Sequence, residues 1–194
     1  MNQQQSINEL LQRIRDGDPD SFARLYEATR DQVYRTVYFL LKQKQDAADV
    51  VSEIYMELLR CLPSYNDGQP FRSWLNGLTV RQVHSWNRKQ WRLFRLFERR
   101  RSMSLEEAHE DAADEVVRDE RAEELWASIE NLPFKLKTVI VLRYYQDCSL
   151  EEIAGILNIP TGTVKSRHHL ALKKLRLSVR QPEYMKEEYI HADG

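Results

Sequence analysis

Three observations in this sequence predict an all-α protein built as two helical domains. Apolar residues recur at i, i+3, i+4 and i+7 along almost the whole chain, and no segment shows the strict alternation of a half-buried strand. Turn-forming clusters cut that pattern into helix-sized pieces: DGDP at 16–19, PSYNDGQP at 63–70, Leu132-Pro133 and Asn158-Ile159-Pro160. Charge is segregated: the net −1 of the 194 residues hides +5 over 1–104, −8 over 105–124, +5 over 125–182 and −3 in the tail. Two basic blocks on an acidic connector suit two domains that each touch a polyanion, joined by a tether the polyanion repels. The expected division is a first domain over 1–101, a flexible acidic linker over 102–121, a second domain over 122–180 and a tail over 181–194.

Hydrophobic residues make up 42% of the chain, enough for packed cores. No apolar run reaches membrane-spanning length and the first residues lack the apolar centre of a signal peptide, so a cytoplasmic location is expected. Cys61 and Cys148 lie far apart with no second metal ligand at useful spacing and are expected as reduced side chains near the cores.

The first helix is expected to start at a capping box, Ser6 with Glu9, ahead of Ile7, Leu10, Leu11 and Ile14. A second begins near Pro19, with Phe22, Tyr26, Val33, Val37, Leu40 and Leu41 marking its apolar side. A third runs from about Asp46 to Leu62, and after the 63–70 loop a long basic helix opens at Phe71. Beyond the acidic connector, Leu125, Trp126 and Ile129 lead to the break at Pro133. Phe134, Leu136, Val139, Ile140, Leu142 and Tyr144 then mark a supporting helix for the last part of the chain.

The most informative stretch is Ser149 to Arg176. Ser149 and Glu152 form a capping box, and Leu150, Ile153, Ala154 and Leu157 give a short helix one buried face. Proline stops it at Asn158-Ile159-Pro160, and Thr161 is placed to cap a restart. In the second helix Val164, His168, Ala171, Leu172 and Leu175 cluster inward. Gly162, Ser166, His169 and Lys173 point away, flanked by Lys165 and Arg176. Small and cationic groups on the outer face of a helix-turn-helix make DNA the leading ligand.

Two further constellations carry chemistry. Asp46, Asp49, Glu53 and Glu57 stand at i, i+3, i+7 and i+11, a carboxylate stripe distinct from the apolar face of Val50, Ile54, Leu58 and Leu62; it reads either as a solvated face or as a docking strip. The segment Arg81–Arg101 holds eight Arg or Lys against one Glu, interleaved with Trp86, Trp91, Phe94 and Phe97. Cations beside flat rings suit melted nucleic acid, in which phosphates meet charge and unstacked bases lie on aromatic faces. No catalytic residues, cofactor or metal are expected: paired acid and base, nucleophile motif, phosphate-cradling glycine loop and metal spacing are all missing from the sequence.

In order, DPDSFARLYEATRDQVYR, DAADVVSEIYMELL and SYNDGQPFRSWLNGL resemble region 2 of a group IV, extracytoplasmic-function sigma factor. LPFKLKTVIVLRYYQDCSLEEIAGILNIPTGTVKSRHHLALKKLR resembles region 4. The resemblance covers nearly all of residues 15–178 and implies a promoter-specificity subunit of RNA polymerase. It gives the stripe of Asp46, Asp49, Glu53 and Glu57 a partner, the clamp coiled coil of the largest polymerase subunit, with the polymerase flap expected to hold region 4. It implies that Tyr65, Asn66 and Asp67 capture a flipped base of the minus-ten element, with Arg81, Trp86 and Arg88 on the helix behind. Thr161, Thr163, Lys165, Ser166, Arg167, His169 and Lys173 then read the minus-thirty-five element as duplex.

The resemblance also implies an anti-sigma protein, often membrane-anchored in relatives, and a linker that enters the polymerase channel. The sequence departs from the family pattern at Ala48 and Ser52, where Glu and Gln are usual, and at Arg81, where Asn is frequent. Leu170 and Leu172 replace arginines, and His168 replaces an inward leucine. The alternative reading is a stand-alone helix-turn-helix regulator, which needs neither the acidic stripe nor the basic aromatic helix.

Overall fold

The helices start and stop at the chain's turn residues. The computed structural model describes residues 3–101 and 120–180. Among them the order is α1 (Gln3–Arg15), α2 (Pro19–Leu40), α3 (Ala47–Cys61), α4 (Phe71–Arg101), α5 (Glu120–Glu130), α6 (Phe134–Tyr144), α7 (Leu150–Leu157) and α8 (Thr161–Arg180), with 3-10 turns at Lys44–Asp46 and Leu62–Ser64 and no strand. The linker expected over 102–121 falls outside the described residues except at its end, where α5 already begins at Glu120, and the tail from 181 falls outside them entirely. None of the described helices is long and apolar enough to cross a membrane.

Two helix starts differ from expectation. Ser6 lies inside α1, which opens at Gln3, because glutamine is a good helix former and carries the helix upstream of the serine. Thr161 is itself the first residue of α8; the opening turn closes on the Pro160 carbonyl, which accepts from the Thr163 and Val164 amides at 2.9 and 3.2 Å. The other punctuation holds. Asp18 caps α2 by accepting from the Asp20 amide, Gly17 makes the turn before it at φ +88°, and Ser149 with Glu152 forms a complete capping box on α7.

Helices α1 to α4 pack around Leu11, Leu25, Val37, Ile54, Leu58, Phe71 and Leu75, all fully buried. Helices α5, α6 and α8 close a smaller core of Ile129, Leu132, Leu136, Ile140, Ala171 and Leu175. The two helical domains the sequence predicts are both present, and they pack against each other. Val139, Val141, Leu142, Ile153, Ile156 and Val164, from α6 to α8, continue the core of the first half.

A polar seam runs beside that shared core. The turn between α6 and α7 inserts Gln146, 3% exposed, against α2 and α4. Its Nε2 donates to Thr36 Oγ1 at 2.8 Å, and its backbone carbonyl accepts from Arg72 at 2.9 Å. Asn76 Oδ1 accepts from Gln32 at 2.9 Å beside it. At one end of the seam Phe39 meets Trp126 and Tyr145 with ring centroids 4.7 and 4.1 Å apart, and Lys44 pairs with Glu130 at 3.0 Å. At another, α4 crosses α7 so closely that a Cβ on Gly77 would stand 3.2 Å from the Ile156 carbonyl oxygen, so a glycine lets the two helices meet.

Lys137 is buried on α6, with Lys44 and Lys42 of the first half nearby. Burial, then Lys44, pulls its pKa down to about 8, against the opposing pull of Glu130. Below that pH the folded chain carries a desolvated charge that the unfolded chain does not. Stability therefore rises between about pH 8 and the ordinary lysine value of 10.5, where only the unfolded state holds the proton. Lys137→Met is expected to stabilise the protein at pH 7 by about 1 kcal/mol or more. Thermal melts across a pH series check this: the gain should shrink above pH 8, and a constant gain would contradict the assignment.

Candidate nucleic-acid interface

The four carboxylates of the acidic stripe do not behave alike. Asp46, in the 3-10 turn before α3, turns back toward α4, where its Oδ2 accepts from Trp86 Nε1 at 2.8 Å and Gln90 Nε2 at 3.2 Å. Glu57 is engaged at the other end, paired with Arg60 and accepting from the Cys61 thiol, whose pKa it raises. Asp49 and Glu53 lie between them, both exposed, with no ion pair or hydrogen bond to a described residue. Met56, 64% exposed, continues the same face one turn beyond Glu53. The sequence held a signal for it: Met56 falls off the apolar face of Val50, Ile54 and Leu58, so periodicity alone places it outside.

The loop after α3 is tightly folded. Tyr65 is buried, its ring edge-on to Phe71 and tilted on Trp74, and its hydroxyl donates to the Gln69 carbonyl at 2.6 Å. It forms the floor of the loop and offers no open stacking face. Asn66 and Asp67 are the exposed tip. Asn66 Oδ1 accepts from the Gly68 amide at 2.9 Å, a side-chain turn that sets the tip's direction. Asp67 is held by Arg15 through two bonds of 3.0 Å, and that guanidinium keeps its carboxyl below the usual range.

Along α4, Arg81 and Arg88 are exposed and seven residues apart, so they share one face, while Trp86 is half-buried toward Asp46. Lys89 lies over the Trp86 ring at 5.6 Å and Arg95 over Trp91 at 4.5 Å. Trp91 and Phe94 are more than half exposed, and with Trp86 and Lys42 they line a cavity of about 340 Å³. The cation–ring pattern expected of this segment is thus present on its solvent side through residue 96. The side chains of Phe97 and of residues 98–101 are not among those described.

In α8, Val164 and Ala171 are fully buried and Leu175 nearly so, which turns Lys165, Ser166, His169 and Lys173 outward; Thr161, Thr163 and Arg167 are partly covered. His168 is half-buried, its Nε2 3.0 Å from the Tyr144 hydroxyl and its ring stacked on Tyr144. Burial, then Arg143 and His169, holds its pKa below the ordinary value, so the neutral ring is favoured. Leu170 and Leu177 are exposed on the outer side, where cations would strengthen a phosphate grip. Arg81 and Arg167, expected from the sequence to serve different promoter elements, line one cavity of about 450 Å³ between α4, α6 and α7. Cys61 and Cys148 are both free thiols.

Because Asp46 alone satisfies two α4 donors, removing it should leave them orphaned. Asp46→Ala is expected to cost about 1–2 kcal/mol in urea unfolding, whereas Asp49→Ala and Glu53→Ala should stay within about 0.5 kcal/mol. Equal effects at all three positions would contradict this division.

Comparison with known proteins adds a second line. The family model for Sigma-70 region 2 matches residues 25–93, and that for Sigma-70 region 4 matches residues 128–177. The chain is 30% identical over 184 residues to the ECF RNA polymerase sigma factor SigW of Bacillus subtilis, spanning 90% of this chain and 97% of that protein. It is 29% identical over 150 residues to the RNA polymerase sigma factor SigV of the same organism, spanning 77% of this chain and 86% of that one. Its fold is shared with the sigma factor RpoE crystallised with the anti-sigma factor NepR from Bartonella quintana, at a TM-score of 0.66 and 19% identity over 82% of this chain and 96% of that one. An ordered pair of sigma regions, each carrying the geometry just described, together with identity across nearly the whole chain, shows that this protein belongs to the extracytoplasmic-function sigma factors of the sigma-70 family, which direct RNA polymerase to promoters.

Proposed function

We propose that Asp49, Glu53 and Met56 dock this sigma factor on a basic, partly apolar surface of core RNA polymerase, with Asp46 and Glu57 flanking the contact. The observation that carries this is the pair of exposed carboxylates with no partner among the described residues, standing between two committed ones. Charges already neutralised within a protein gain little from a partner, whereas free ones steer and register it. In the same reading Asn66 and Asp67, above the floor made by Tyr65, receive unpaired minus-ten bases, and Arg81, Trp86 and Arg88 follow the strand along α4. Thr161, Thr163, Lys165, Ser166, Arg167, His169 and Lys173 read the minus-thirty-five duplex from α8. Melting is driven by capture: binding of unstacked bases offsets the few kcal/mol, roughly, that each unpaired step costs.

The promoter elements these two halves serve lie roughly 25 base pairs apart, about 85 Å along a duplex. Two halves that share one core do not span that distance, so engagement with polymerase and DNA separates α6–α8 from α1–α4. A relative of like fold has been crystallised with an anti-sigma factor. For this chain we propose the same class of regulator, one that grips both halves and favours the joined form, in the compartment where polymerase works. The chain itself contributes binding rather than bond-breaking chemistry.

Run-off transcription with core polymerase, with and without the purified chain, tests the assignment as a whole. Asp49→Ala with Glu53→Ala is expected to weaken core binding at least about tenfold in fluorescence anisotropy while leaving the melting temperature unchanged. Unaltered core affinity in that double variant would sink the docking assignment.

A further inference from the structure

Arg15, the last residue of α1, directs four of its five guanidinium hydrogen bonds to the loop that follows α3, some fifty residues away in sequence. Its Nε donates to the Leu62 carbonyl at 3.3 Å, and one Nη donates to the Tyr65 carbonyl at 3.1 Å. The two Nη atoms take the two oxygens of Asp67 at 3.0 Å each. The remaining contact is to Gln12 Oε1 at 3.4 Å, within α1 itself, and the guanidinium carbon stands 6.0 Å from the Tyr65 ring centre. The Arg15 side chain is only 18% exposed, although Asp67 is half open to solvent.

This is a built clamp. Between the 3-10 turn ending at Ser64 and the start of α4 at Phe71 the chain has no regular structure, yet its tip must present Asn66 and Asp67 in one orientation. The Gln69 amide bonded to the Asn66 carbonyl and the Gly68 amide bonded to Asn66 Oδ1 shape the tip internally. Arg15 ties it to another helix through both its backbone and its carboxylate. A planar fork of donors fits two carbonyls and a bidentate carboxylate at once; an ammonium does not. The pair also cancels the charge of Asp67, which would otherwise repel an approaching phosphate chain.

We infer that Arg15 is the positioning residue of the minus-ten loop, fixing Tyr65–Asp67 in the shape that receives unpaired bases from a helix that precedes the matched region 2. The inference rests on the assignment of that loop to base capture, and it adds a residue that neither the sequence pattern nor the family match points to.

The test uses holoenzyme assembled from core polymerase and the full chain, with a pool of short single-stranded DNA oligonucleotides randomised at every position. The sequences that wild type selects, once labelled, become the binding probe. Arg15→Gln is expected to weaken probe binding about tenfold and to broaden the selected base preference, with core affinity unchanged. Arg15→Lys, which keeps the charge and loses the fork, should follow Arg15→Gln. Asn66→Ala serves as the control for the loop. If Asn66→Ala loses binding while Arg15→Gln selects the same sequences at wild-type affinity, the positioning role is overturned and the loop assignment stands. If both bind as wild type, the loop assignment falls and takes the inference with it. A loss in Arg15→Gln accompanied by an equal loss of core affinity, or full binding by Arg15→Lys, would also overturn it.

Discussion

Much of this structure turns on one buried amide. Gln146 sits where two helical halves meet, and its polar groups are almost closed off from water, so the surfaces around it must supply partners for the halves to close without loss. Thr36 and Arg72 do so from α2 and α4, and Asn76 with Gln32 completes the polar strip. An apolar seam would tolerate sliding; a seam with a fixed set of donors and acceptors admits one register. That register sets which faces remain open. It brings Arg81 and Arg167 to a common cavity, leaves the outer side of α8 exposed, and keeps Asp49 and Glu53 in solvent on the far helix.

Charge is handled by local commitment. Where a carboxylate supports the fold it has a partner at short range, as Asp46 has Trp86 and Gln90, and Asp67 has Arg15. Where Asp49 and Glu53 face outward on α3, they have none among the described residues. The same division holds for the rings of α4: Trp86 is tied down through its indole nitrogen, while Trp91 and Phe94 lie open beside cations. One helix thus serves as core wall along its first turns and as a cationic aromatic surface farther on.

Most of the helix boundaries were legible in the sequence because they are local matters. Proline at 19, 133 and 160, the capping box at Ser149 and the turn at 63–70 act over three or four residues, and periodicity alone marks Val37, Ile54, Val139 and Val164 as inward. What was not legible depends on distant partners. Asp46 fits the carboxylate stripe by spacing, and only the fold reveals that Trp86 claims it. Tyr65 reads as an exposed loop aromatic until Phe71 and Trp74 close over it. The charge pattern divides the chain into its two helical domains, but charge says nothing of packing between them, so Leu142 and Ile153 extending the core of the first is visible only in the fold. Arg15 stands at a helix end, where cations are ordinary, so nothing in the sequence singles it out.

The shared core has a consequence for measured affinities. A protein that binds its target only in a minority conformation shows an apparent dissociation constant larger than the intrinsic one by the reciprocal of that conformation's population. Each tenfold excess of the joined form over the separated one therefore removes about a factor of ten from the apparent strength of every contact that needs separation, without touching a contacting residue. Substitutions along the seam at Phe39, Gly77 or Gln146 would then act as gain controls on promoter use, shifting the response to polymerase concentration while leaving base preference as it was.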